Sequence, residues 1–213
     1  MIPKDSTVGA DAERTLHRLE AFSDIVIGFC IAEMGINLLV PQHVPDVRAI
    51  VTAITGFSVS FVLISFVWWF HHRIFSTYFV LTRITLILNF TLLGSLVLMV
   101  YVQQIALHFI AMDSNPTNVV RMWMAGYGVV YSLLGAMLWI GLRTRWKALN
   151  LADLRWGVSR ASLLSVGATI FFLCAAGLAG VQARSILIGG PIAVLIMRVF
   201  IPKFVDRVIT GHT

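Results

Sequence analysis

The sequence predicts an all-α membrane protein with six transmembrane helices per subunit and both termini cytoplasmic. Three observations lead there. Hydrophobic residues make up 58% of the 213 positions and charged residues only 12%, whereas a soluble domain carries about 25% charged residues. Six apolar runs, roughly residues 20–41, 50–71, 84–108, 119–142, 158–181 and 185–204, each come near the ~20 residues that a helix needs to cross a bilayer core. When these runs alternate across a membrane, thirteen of the 16 lysines and arginines fall on one side, the bias that marks cytoplasmic loops. The runs nearly exhaust the chain, so residues 1–213 read as a single transmembrane domain. The formal charge of +6 is accordingly a topology signal, and nucleic acid is not an expected partner.

The elements follow in order. Residues 1–20 are polar and lack the apolar core and cleavage site of a signal peptide, so they read as a short cytoplasmic arm leading into the first run. That run carries Asp24, Glu33 and Asn37 within apolar surroundings. Pro41 and Pro45 disfavour helix continuation after it. The second run ends in Trp68-Trp69 and His71-His72, and the third has Asn89 early in its course. Asn115-Pro116 is turn chemistry, with Thr117 or Asn118 as a helix cap. The fourth run interleaves Gly126, Gly128 and Gly135 with Tyr127, Tyr131 and Trp139, a packing pattern. The connection that follows holds Arg143, Arg145, Lys147, Arg155 and Arg160, with Trp146 and Trp156 suited to the membrane interface. The fifth run is rich in Gly and Ala. Few residues around Val181 to Ser185 separate it from the sixth, which Gly189-Gly190-Pro191 bends early.

Several chemistries are not indicated. The sequence has no HExxH, GxSxG, Walker or CxxC motif, so no enzyme and no cofactor is expected. Cys30 and Cys174 both sit in apolar runs and read as packing residues. His71 and His72 point about 100° apart on a helix and have no evident third ligand, so no metal site is expected. A TVGYG filter is absent.

What needs explaining is the first run, because carboxylates are costly in hydrocarbon and usually face a bundle interior or water. Phe22, Phe29 and Ile36 fall seven apart, and Glu33 lies four after Phe29. These positions form one stripe at 3.6 residues per turn. Gly28, Ala32 and Gly35 lie beside it and allow close helix approach. Two readings of Glu33 stay open: a protonated or paired carboxyl between helices, or a carboxylate facing water in a pore. Toward the cytoplasmic side the topology brings Arg18, Ser23, Asp24, Trp69, His71, His72 and Asn89 to one depth. A hydrogen-bonded network is the natural way to satisfy such groups.

The same residues carry a family resemblance. Arg18, Phe22, Ser23 and Asp24 match the RxxxFSD signature that opens the first helix of the lysosomal potassium channels called transmembrane protein 175. The second-helix ending WWFHHRIF and the region of Asn89 are similar to that family's pattern, and six spans match its prokaryotic members. The resemblance implies a homotetrameric channel that passes K+ and other monovalent cations, with no cofactor beyond the permeant ion. It implies a prokaryotic plasma (inner) membrane location among lipids, and a pore lined by the first helix of each subunit. Carried over, the hydrophobic constriction is Phe29, with Ala32, Glu33 and Ile36 as further lining positions. Relatives usually have Leu or Ile at the first of these and often a threonine at the second. Passive potassium-preferring leak is the expected function. A proton-coupled secondary transporter using Asp24, Glu33 and His71 is the alternative, and a non-conducting structural membrane protein is a third reading.

Overall fold

The computed structural model describes residues 5–36, 47–111 and 117–177, together with residues 192 and 196. Within them the chain forms five helices: α1 (Asp5–Ile36), α2 (Val47–Thr77), α3 (Arg83–Ala111), α4 (Thr117–Arg145) and α5 (Leu151–Gly177). The sixth run, the Gly189-Gly190-Pro191 bend, the Pro41 and Pro45 loop, the Asn115-Pro116 turn and Asn37 lie outside the described residues. Among those described, four helices are long and apolar enough to cross a membrane: Ala53–Thr77, Arg83–Phe109, Thr117–Arg145 and Leu151–Ala176. The first helix, with Glu20, Asp24 and Glu33 in its apolar half, is not among them.

Helices outrun the apolar stretches that announce them, because polar residues continue or cap the last turns. The arm expected before the first span is the N-terminal part of α1 itself. At the start of α3, the Thr82 hydroxyl accepts from the Thr85 amide at 3.2 Å, while the Thr82 amide donates to the Thr85 hydroxyl at 3.0 Å. This reciprocal pairing satisfies two amides that helix geometry leaves without partners. Asn150 caps α5 by accepting from the Asp153 amide at 2.8 Å. That cap starts α5 at Leu151, well before residue 158. Arg145, ending α4, donates to the Thr77 carbonyl at 2.6 Å, placing a cation at the carbonyl end of α2 where the helix dipole favours it.

Consecutive helices run antiparallel. Gln103 accepts from Trp123 across α3 and α4 at 3.2 Å, and Tyr127 stacks on Phe171 across α4 and α5 with centroids 5.2 Å apart. Packing is closest where glycines face bulk. A Cβ on Gly128 would meet the Phe172 ring at 2.9 Å, and one on Gly141 would run into the Tyr78 backbone carbonyl. The buried core, including Leu63, Ile64, Leu92, Leu96, Met124, Leu134 and Leu164, lies mainly where α4 meets α2, α3 and α5. Among the described elements α1 packs only on α2 and α3.

Candidate functional site

The spacing of apolar residues gives α1 two faces. Leu19, Ser23, Ile27, Cys30 and Met34 are buried against the bundle, at intervals of three or four residues that keep them on one side. Ile25, Phe29 and Ile36 point away from it, Phe29 at 70% and Ile36 at 77% exposure, and Phe22 lies half exposed at its edge. Ala32 and Glu33 share that outward face. Among the described residues, a Cβ on Gly28 would meet nothing within 4 Å and one on Gly35 only the Phe57 ring at 4.0 Å. The small residues expected to admit a neighbouring helix therefore stand largely open in the subunit.

At the Arg18 end, the inward face carries a polar tie. The Ser23 hydroxyl donates to the Leu19 carbonyl at 2.8 Å, so towards other groups it can only accept. Asn89 supplies the donor: its Nδ2 reaches Ser23 Oγ at 3.1 Å. This orientation leaves Asn89 Oδ1 facing His71 Nε2 at 2.8 Å, so His71 is the Nε2–H tautomer and donates. Every donor points the same way, from α2 through α3 to α1, and each bond polarises the next. Ser23, His71 and Asn89 are fully buried. Leaving one of them without its partner costs about 1–3 kcal/mol.

A second set of ties lies outside the first. Trp68 Nε1 donates to Asp24 Oδ1 at 3.0 Å, and His72 Nδ1 lies 3.1 Å from Glu20 Oε1. One step of four residues up α2 matches one step of four down α1, as antiparallel helices require. Trp68 and His72 also stack on each other, centroids 5.9 Å apart.

The structure thus joins Ser23, His71 and Asn89 directly, and ties Asp24 and His72 to α1–α2 partners beside them. Among the described residues it does not bring Arg18 into the bonded set. Trp69 turns the other way and meets Trp156 of α5 edge-on at 6.0 Å, while Arg18 is exposed. Phe22 contacts the Phe90 ring of α3 at 6.1 Å. Glu20 and Trp68 are the partners that sequence reasoning missed. Their signal was available: Glu20 and Asp24 are four apart, as are Trp68 and His72. Among the described residues no group of three or more His, Cys, Asp or Glu side chains is arranged to hold a metal ion.

A third cluster fastens α2 to α5 at the same end. Arg73 pairs with Asp153 at 3.0 Å and lies 5.5 Å from the Trp156 ring centre. Tyr78 stacks on Trp156 with centroids 5.6 Å apart and donates to the Asp153 carbonyl at 2.7 Å.

Residues 18–99, which contain the Ser23–Asn89–His71 tie, match the family model described as endosomal/lysosomal potassium channel TMEM175. The fold is similar to the crystal structure of a threonine-to-alanine variant of the potassium channel MtTMEM175, solved in complex with a nanobody–MBP fusion protein. The TM-score is 0.60 at 17% identity, covering 91% of this chain and 93% of that one. No curated protein matches. Residues 18–99 thus resemble the TMEM175 family in sequence, and the chain shares the fold of a TMEM175 channel through nearly its whole length.

Proposed function

We propose that the protein is a potassium-preferring cation channel that passes ions down their gradient, through a central pore lined by α1 of each of four subunits. The observation that carries this reading is the division of α1. One face is tied into the bundle by buried hydrogen bonds, while the other leaves Phe29 and Ile36 largely uncovered by the subunit. Exposed apolar side chains on a spanning helix can face lipid, but Glu33 lies exposed beside them, and a carboxylate at that depth is costly in hydrocarbon and usually faces a bundle interior or a water-filled path. Cyclic association around α1 gives that face a central axis. Phe29 is then the hydrophobic constriction that gates by dewetting, with Ala32, Glu33 and Ile36 lining the path beside it. The match of residues 18–99 to the potassium-channel family model and the fold shared with a potassium channel support the ion assignment. Six spans per subunit, both termini cytoplasmic and a prokaryotic inner-membrane location belong to the same reading, which the charge bias supports.

The test is potassium flux in liposomes and single-channel recording from purified protein. Wild type is expected to carry a K+ current, and Phe29→Ala to raise its unitary conductance. A wild type silent at every pH overturns the channel. An unchanged unitary current in the variant removes Phe29 from the constriction.

A further inference from the structure

Glu20 is within reach of two imidazoles on two different helices. Its Oε1 lies 3.1 Å from His72 Nδ1 on α2, while its Oε2 lies 4.0 Å from His17 Nδ1 on α1 itself. His17 in turn lies 4.0 Å from Glu13. One carboxylate therefore stands between a partner that joins the pore helix to the bundle and a partner that does not.

The surroundings separate this contact from the tie beside it. Ser23, Asn89 and His71 are fully buried, so parting them strands polar groups. The Glu20 and His72 side chains are 18% and 51% exposed, so water takes over when they part and the contact costs little to break. The groups facing it are few. Asp24 is held by Trp68, His71 by Asn89, and Arg73 by Asp153. Along α1, only Leu19 and Ser23 are buried between positions 11 and 26. Among the described residues, these ties therefore fix the angle of the arm that begins at Glu20 and runs back toward Asp11.

We propose that Glu20 is a two-position latch on the pore helix. Held by His72, it fixes the Arg18 end of α1 against α2; held by His17, it releases that end to pivot about the buried Ser23 tie. Glu20, His72 and His17 are positioning residues that act on the pore through the angle of α1. The inference rests on the reading of α1 as the pore-lining helix.

A latch with two competing partners makes a prediction that a structural ion pair does not. Removing one partner and removing the other must move gating in opposite directions. In planar bilayers, His72→Gln and His17→Ala are expected to change open probability oppositely, each by up to about fivefold, the population shift that a contact of this exposure can carry. In a Glu20→Gln background, His17→Ala is expected to have no further effect. The His17 and His72 side chains are 71% and 51% exposed, so the variants at these two positions are expected to melt with wild type. No potassium current from wild type overturns the channel reading and the latch with it. A wild-type current that both variants move in the same direction, or leave alone, overturns the latch only. So does a His17→Ala effect that survives in the Glu20→Gln background.

Discussion

Three buried side chains, Ser23, Asn89 and His71, hold three helices together, and each has one bonding role left once the others are assigned. Asn89→Ala removes the middle of that chain and strands the His71 Nε2–H, while Ser23 keeps only its bond to the Leu19 carbonyl. It is expected to destabilise the protein by about 1–3 kcal/mol, read as a lower melting temperature in detergent. Asn89→Leu, which fills the volume but offers no polar atom, is expected to do no better. The exposed Glu33 makes a prediction of another kind. Glu33→Gln removes a negative charge from the outward face of α1 and is expected to weaken cation preference, read as a shifted reversal potential under a salt gradient. At this scale the sequence told depth but not direction. Alternating spans bring Ser23, His71, His72 and Asn89 to one level whatever the packing. Whether Trp68 or Trp69 faces α1 depends on the rotation of α2, and a turn of about 100° separates the two. That rotation is set by the cores of α3 and α4, which no local pattern in α2 reports.

Helix ends were the least legible elements, for a physical reason. An apolar run measures the hydrocarbon that a helix crosses, whereas hydrogen bonding ends a helix, and the caps here are polar side chains beyond the run. Asn150→Ala is expected to cost about 1 kcal/mol through loss of the α5 cap, measurable by thermal melt. Glycine-rich stretches were recognisable as packing surfaces, but the partner of each glycine was not. Gly141 lies against the Tyr78 carbonyl, a backbone atom that cannot rotate aside, so Gly141→Ala is expected to cost about 1–3 kcal/mol by overpacking. Tyr78 adds a pH dependence. Burial first, and then the Asp153 charge, push its hydroxyl up to about 12, against an ordinary value of about 10. Its folded pKa is the higher, so its contribution is whole below about pH 10 and is lost as pH rises from there toward about 12. Melting temperature is expected to fall across that window in wild type, and less steeply in Tyr78→Phe.

The whole molecule was legible in class, as an all-α membrane protein, from composition, whereas the functional reading rested on a resemblance carried by Arg18, Phe22, Ser23 and Asp24, the WWFHHRIF ending, Asn89 and the six apolar runs. The bundle has unequal parts. Helices α3, α4 and α5 interlock through glycine and aromatic contacts, with α2 fastened to them by the Arg73, Asp153, Trp156 and Tyr78 cluster. The first helix leans on α2 and α3 by a narrow strip. Phe29, Ala32 and Ile36 hold no place in the subunit interior, so exchanging them disturbs no packing within it. The residues proposed to set conduction can therefore vary without any compensating change in the scaffold. A lineage carrying this fold is free to explore new throughput and ion preference at those positions, one substitution at a time, while the body that presents them stays as it is.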